Sequence, residues 1–215
     1  MPLQRLFSCA TLTTIMVAAA TLPTALAADA FPERPVRVIV PFSAGGGLDI
    51  VTRIFAQTLS EQSGQTFVVE NKAGGAAGSV GSRDIISARP DGYTIGVNTV
   101  TGLTTAAMDP AGFNPKNDLA PVGRLGSSTL IVMVNPQLPV HSVDELVAYI
   151  KANPGVAYGT SGVGSIMHYT TAVFAKSAGV EMTHVPYRGE GPALNDALSG
   201  VAPVIFGSSL QADLS

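Results

Sequence analysis

Ser161, Ser165 and His168 are the first side chains whose types suggest chemistry, two hydroxyls and an imidazole close together after the run Gly159-Thr160-Ser161-Gly162-Val163-Gly164. A hydroxyl beside an imidazole is the raw material of nucleophilic hydrolysis. The spacing argues against that use. Ser165 and His168 are i, i+3 neighbours on one expected helix, which lacks the sharp elbow that exposes a nucleophile. Gly-x-Ser-x-Gly occurs nowhere, and no carboxylate adjoins His168 to orient it. An exported serine hydrolase using Ser165 or Ser161 with His168 is therefore kept only as an alternative. His141 and His184 stand alone in the sequence, and without a His/Cys/carboxylate cluster no metal site and no cofactor are expected.

The stronger chemical signal is glycine. Between a strand and a helix, glycine lets backbone N–H groups and a helix N-terminus approach an anion closely. Four stretches have this composition: Phe42-Ser43-Ala44-Gly45-Gly46-Gly47, Lys72–Gly78, Gly159–Gly164 and Pro186-Tyr187-Arg188-Gly189. The Gly-x-Gly pairs beginning at Gly45, Gly162 and Gly189 lack the third glycine of a dinucleotide loop, and Gly-Lys-Ser/Thr is absent. Nucleotides are thus disfavoured, and a small carboxylate or phosphate fits better. Asp49, in the first turn of its helix, reads either as a cap for free N–H groups or as an acceptor for a ligand donor. Arg188 reads as a carboxylate clamp or as a solvated surface cation. Phe42 and Tyr187 wall a ligand or pack beneath the sheet edge.

Those loops need strands and helices to aim them. Val36–Val40 is a β-branched strand stopped at Pro41, and Val51, Ile54, Phe55 and Leu59 give the next helix an apolar face that Gly64 ends. A strand over 66–70, a helix near 79–88 and a strand over 93–98 complete a βαβαβ order that predicts a parallel α/β sheet. Residues 101–121 read as irregular. Strand 130–134 and a helix from the capping box Ser142-Val143-Asp144-Glu145 follow. The pattern then repeats: strand 156–158, helix 165–178, strand 182–185, helix 191–199 and strand 201–206, with no closing element to Ser215. Two α/β units result, roughly 28–126 and 127–215, of the kind that enclose a cleft.

Length and composition bound the rest. The 215 residues are 46% hydrophobic and 13% charged, with a net charge of −3 and no basic run, so no nucleic-acid partner is expected. The mean hydropathy of +0.34 is inflated by the N-terminus. There Arg5, an apolar run from Leu6 to Leu22 and Ala25-Leu26-Ala27 lay out a signal peptide over 1–27 that directs the chain to the periplasm and is then cleaved. Cys9, the single cysteine, lies within that leader, so disulfides and thiolate chemistry are excluded from the mature chain.

Five ordered segments carry a resemblance: Pro41-Phe42-Ser43-Ala44-Gly45-Gly46-Gly47-Leu48-Asp49, Val69–Gly74, Pro90-Asp91-Gly92-Tyr93-Thr94, Gly159–Ser165 with His168, and His184-Val185-Pro186-Tyr187-Arg188-Gly189. Together they resemble the tripartite tricarboxylate transporter receptors, also called Bug-type periplasmic solute-binding proteins. The resemblance implies a two-lobed, type II Venus-flytrap periplasmic binding protein with mostly parallel sheets flanked by helices. It implies a monomer, not an enzyme, that captures a small carboxylate or related metabolite between its lobes and passes it to a two-subunit membrane permease. Carried over by position, ligand contacts fall on Phe42, Ser43, Gly45, Gly46 and Asp49 in the first lobe. Thr160, Ser161, Gly164, Ser165, His168, Tyr187 and Arg188 supply those of the second. Main-chain contacts near 73–75 and 99–101 are further expectations. Two departures stand out. Pro203 falls where the family often has an aspartate, and the chain stops before the C-terminal return that completes the first lobe. The first lobe is accordingly expected to be incomplete, and a truncated, non-functional remnant is the other alternative.

Overall fold

A β-branched run with no polar interruption favours a strand covered on both faces, and β1 (Val36–Val40) is almost wholly buried. The computed structural model of the chain describes residues 31–100 and 113–212. The expected leader, with Arg5 and Cys9, and residues 101–112 of the irregular stretch lie outside the described residues. Arg34–Ser215 form one compact unit, and all contacts below lie within it.

Helix α1 (Gly47–Ser63) leads from β1 to β2 (Phe67–Asn71), and α2 (Ser79–Ser87) leads on to β3 (Thr94–Gly96). The sheet order is β2-β1-β3 with both pairs parallel, Val38 lying opposite Val69 on one side and Ile95 on the other. Arg37 and Glu70 clasp each other across this register through two 2.9 Å hydrogen bonds. Gly64 closes α1 in the left-handed region at φ +72°, as its position in the sequence anticipates. The buried side of α1 differs from expectation. It is Asp49, Thr52 and Ala56 that are buried, whereas Ile54 is 63% exposed. Small residues let the helix lie close on the sheet, and the bulkier apolar stripe is rotated toward its flank.

A short helix, α3 (Pro115–Asp118), interrupts the stretch read as irregular, with Asn114 accepting the Lys116 N–H as its cap. The second sheet comprises β4 (Leu130–Val134), β5 (Val156–Thr160), β6 (Met182–Pro186) and β7 (Val204–Ser208) in the order β4-β7-β5-β6. Strands β5, β6 and β7 run parallel, and β4 runs antiparallel to β7. Helix α4 (Val143–Ala152) starts at the capping box, where Ser142 accepts the Glu145 N–H and Glu145 accepts the His141 N–H. Helices α5 (Ile166–Ala178) and α6 (Glu190–Ser199) follow β5 and β6. Alternation along β7 sorts the core: Val204 and Phe206 pack with Leu146, Ile150 and Tyr158, while Ile205 packs with Met167, Ala193, Leu194 and Ala197. Asn135 Nδ2 donates to the Ala197 and Leu198 carbonyls, satisfying the end of α6 from within the core.

Several boundaries move. The last strand is Val204–Ser208 rather than 201–206, because Gly200 and the segment before Pro203 are spent on leaving α6. Strand β5 runs on to Thr160, taking Gly159 from the expected loop, and a short helix, α7 (Ser209–Ala212), follows β7.

Where α2 crosses the end of β1, close approach demands glycine. A Cβ on Gly81 would lie 2.6 Å from Pro41 Cα and 2.8 Å from the Lys72 carbonyl oxygen. Gly81→Ala should therefore destabilise the chain by about 1–3 kcal/mol despite alanine's better helix propensity. Urea unfolding of the two proteins checks this, and an equally stable variant would mean that α2 shifts freely.

Candidate functional site

In an open parallel sheet, the crevice for a ligand opens at the carboxyl ends of the strands, where successive connections depart to opposite sides. Both sheets have such a point. From central β1 the chain goes out to β2 and returns across to β3 on the other side. From β5 it goes to β6 and then returns to β7. The four glycine-bearing segments all leave these strand ends.

The two crevices meet. Ser43 N–H donates to the Arg188 carbonyl at 3.1 Å. A Cβ on Gly189 would fall 2.2 Å from Ser43 Oγ, and one on Gly191 would fall 3.1 Å from the Ala44 carbonyl oxygen. Glycine is needed there for proximity, backbone against backbone. Farther along, the Gly162 turn passes the amide of Ala77. Loops from the first and second sheets thus share one crevice.

Within the first loop, Asp49 is committed to the protein. Its carboxylate accepts the Gly45 N–H at 3.0 Å, Arg53 Nε at 3.0 Å and Asn71 Nδ2 at 2.9 Å, and Asn71 Nδ2 also reaches the Phe42 carbonyl. Burial pushes this carboxyl up, but Arg53, the Gly45 amide and Asn71 more than offset it and hold it below the ordinary carboxylate value. Phe42 is buried and packs close to Gly78. Gly46 precedes α1 as its N-cap and Gly45 adopts φ +81°. Ser43 Oγ, in contrast, is buried with no hydrogen-bond partner among the described residues, and so is Thr99 Oγ1 beyond β3. An unmet buried hydroxyl is costly unless something else binds it. The sequence offers only a main-chain contact at Thr99, so this hydroxyl is a gain from the structure. Thr101 lies outside the described residues.

The second-sheet turn is held by a ring stack that the sequence leaves apart. His168 and His184 lie face to face with centroids 4.0 Å apart and planes 5° from parallel, and Tyr158 also stacks with His184, at 5.1 Å between centroids. His184 Nε2 is 2.7 Å from Thr160 Oγ1, which also accepts the Gly162 N–H. His168 Nδ1 accepts the Gly164 N–H. Burial, then the neighbouring His168, lowers the pKa of His184 from its ordinary value. Ser165 is fully buried and caps α5 by accepting the His168 N–H. Ser165 and His168 therefore meet through a backbone amide rather than as nucleophile and base, which leaves the hydrolase alternative without its key hydrogen bond. Tyr187 donates its hydroxyl to Asp196, and burial, then Asp196, pushes its pKa up to about 12. Arg188 is exposed, and its guanidinium has no hydrogen-bond or ion-pair partner among the described residues. Ser161 is half-buried, and its hydroxyl likewise meets no described partner.

The structure brings all twelve expected site residues to this crevice or its supports, but it divides them. Thr160, Ser165, His168, Tyr187 and Asp49 hold the loops, while Ser43, Ser161 and Arg188 keep polar groups in hand. Several amides expected for a guest are also occupied internally: Gly45 by Asp49, Gly162 by Thr160 and Gly164 by His168. One group escaped sequence reading. Glu190, at the start of α6, accepts the Ser208 N–H with its carboxylate, and burial pushes that carboxyl above its ordinary value. The flanking Gly189 and Gly191 were its only signal. A pocket of about 260 Å³ lined by Met133, Asn135, Leu194 and Leu198 belongs to the packing of α6 and contains no residue of the glycine loops.

Residues 51–212 match the model of the tripartite tricarboxylate transporter family receptor. The chain is 37% identical over 193 residues to protein BugT of Bordetella pertussis, covering 87% of this chain and 58% of that one. Among solved structures it is similar to Rpa4515 of Rhodopseudomonas palustris with adipate, with a TM-score of 0.76 and 34% identity over 83% of this chain and 60% of that one. It is also similar to MatC of the same organism with bound malate, with a TM-score of 0.77 and 28% identity over 85% of this chain and 63% of that one. The chain spans little more than half the length of the curated relatives it matches.

The histidine stack gives the fold an acid limit. Because the folded pKa of His184 lies below its unfolded value, its neutral form contributes stability that is full above about pH 6.5 and drains away as pH falls from there toward the folded value. Melting temperature should drop on acidification from about pH 7.5 to about pH 5, and less steeply in His184→Phe, which keeps a ring but no proton site. Parallel profiles for the two proteins would move that acid loss to other groups.

Proposed function

Because the chain belongs to the tripartite tricarboxylate transporter receptor family, we propose that it works as a solute receptor for a small carboxylate. In this reading the solute is captured in the crevice between the two sheets and passed to a two-subunit permease in the membrane. The observation that supports the reading is the Ser43 N–H to Arg188 carbonyl bond, which joins the loop after β1 of the first sheet to the loop after β6 of the second. The relatives solved with adipate and with malate make the carboxylate the favoured guest chemistry.

The crevice supplies what such a guest needs. A carboxylate is met by hydroxyl and amide donors at strand ends and helix starts, which stabilise charge without the cost of ordering a long cationic side chain. Ser43 and Ser161 offer hydroxyls with no described partner, and Arg188 adds an exposed positive charge. Thr160, Gly164, Ser165, His168 and Asp49 set the loops that present these groups, and Tyr187, tied to Asp196, walls the second-sheet side. The family places this chemistry in the periplasm, the destination that residues 1–27 would give it. Residues 28–126 and 127–215 act as two lobes of a monomer, and a guest touching both favours the closed arrangement by its differential affinity.

Titration calorimetry of the folded chain with adipate, malate, succinate, citrate, aspartate, glutamate and nicotinate tests the proposal. Heat of saturable 1:1 binding is expected with at least one. Silence with all of them would refute carboxylate capture by this chain. For the guest that binds, Ser161→Ala should weaken affinity by about 0.5–1.5 kcal/mol, the worth of one hydroxyl hydrogen bond. An unchanged affinity would make Ser161 a turn residue only.

A further inference from the structure

Thr160 has one hydroxyl proton and two places to put it. Its Oγ1 lies 2.7 Å from His184 Nε2 and 3.3 Å from the Gly162 carbonyl oxygen, and it accepts the Gly162 N–H at 3.2 Å. The side chain is fully buried, so these partners decide where its proton points. With Nε2 of His184 bare, the hydroxyl donates to the ring. With a proton on Nε2, the ring donates to the hydroxyl, which turns its own proton to the Gly162 carbonyl. Every one of these groups has a partner in both states. His168 lacks that freedom. Its Nδ1 accepts the Gly164 N–H at 3.3 Å, so a further proton would set donor against donor there. The stacked pair therefore has one place for an extra proton, His184 Nε2, and a cationic ring is well received against the faces of His168 and Tyr158.

That place is one hydroxyl away from the turn that meets the first sheet's loops. A Cβ on Gly162, whose amide Thr160 holds, would lie 3.3 Å from the Tyr187 carbonyl oxygen and 3.8 Å from the amide nitrogen of Ala77. The groups facing the two rings are few. Strand β5 gives the Tyr158 phenol and the Thr160 hydroxyl, the turn gives the Gly162 and Gly164 amides, and α4 gives Tyr149 to the same core cluster. Glu181 before β6, Arg188 after it and Lys176 two turns along α5 are all exposed. Among the described residues no carboxylate or cation bonds to either ring, and the only charge acting on His184 is that of His168, which with burial opposes protonation. A guest carboxylate at the Ser161 turn supplies the negative charge that these surroundings lack. We propose that carboxylate capture at this turn is coupled to uptake of one proton at His184 Nε2, with Thr160 turning its hydroxyl to the Gly162 carbonyl as the proton enters. This rests on the carboxylate-receptor reading above and deepens it. Anion and proton then bind with mutual support, each raising the affinity for the other by the same factor.

The test takes the tightest binder among adipate, malate, succinate, citrate, aspartate, glutamate and nicotinate and titrates it into the whole chain at about pH 7, in PIPES and in imidazole buffer. Buffers of different ionisation enthalpy give different heats when binding moves a proton. The difference should correspond to uptake of about 0.2–1 proton per chain, and affinity should rise about threefold or more from about pH 8 to about pH 6. NMR follows the imidazoles of His141, His168 and His184 separately, the only three in the chain. On saturation with the same guest, the titration midpoint of His184 should rise by about one pH unit, while exposed His141 stays where it was. His184→Phe, which keeps a stacking ring without a proton site, should remove most of the uptake. Binding without proton uptake, uptake undiminished in His184→Phe, or a midpoint that moves at His168 instead would each overturn the inference and leave carboxylate capture standing. The first and last of these comparisons need no variant to fold. Silence with all of the carboxylates would overturn the receptor reading and this inference with it.

Discussion

Main chain laid directly against main chain, at Ser43 and Gly189, is the constraint from which the rest of the site follows. Each sheet opens a crevice at the ends of its parallel strands, but two separate crevices make no clamp. They combine only if the loop after β1 and the loop after β6 come close enough for an amide to meet a carbonyl. That distance puts a Cβ on Gly189 3.0 Å from the Ser43 amide nitrogen and one on Gly191 3.1 Å from the Ala44 carbonyl oxygen, tighter than side chains ordinarily pack. The glycine richness that first looks like flexibility is here a device for proximity.

Around that contact the protein separates groups that hold from groups that wait. Asp49 is nearly buried and gathers three donors, which fixes the loop after β1 before any solute arrives. The Tyr158–His184–His168 stack does the same for the turn after β5, with stacked rings instead of an ion network. Fixing loops in advance reduces the ordering cost a guest would otherwise bear. The price is that several loop amides are already committed to the fold.

Much of the architecture was legible in the sequence. The β-branched run at 36–40, the capping box at Ser142 and the left-handed glycines at 64, 179 and 200 are local signals, and local physics honours them. The parallel βαβ order follows from strands and helices alternating without tight hairpins. What escaped depends on three-dimensional neighbours. The apolar side chains of α1 suggested a buried Ile54, yet the helix sits on Thr52 and Ala56 because small residues allow the closer fit. His184 looked solitary until the β5–β6 register set it opposite Tyr158 and α5 brought His168 over it. Glu190 had no motif at all, since its partner is the backbone amide of Ser208, which leaves no trace in a sequence.

The ring stack has one more consequence, an optical one. The chain contains no tryptophan, so its near-ultraviolet emission comes from five tyrosines. Tyr158 is the most sheltered of them, 5% exposed, and its ring lies against an imidazole that leans in turn on the second imidazole above the Thr160 turn. Movement in that turn alters the contact between the rings and hence the quenching of this one phenol. The protein thus contains its own fluorophore in the packed core of the second sheet, readable without any attached dye.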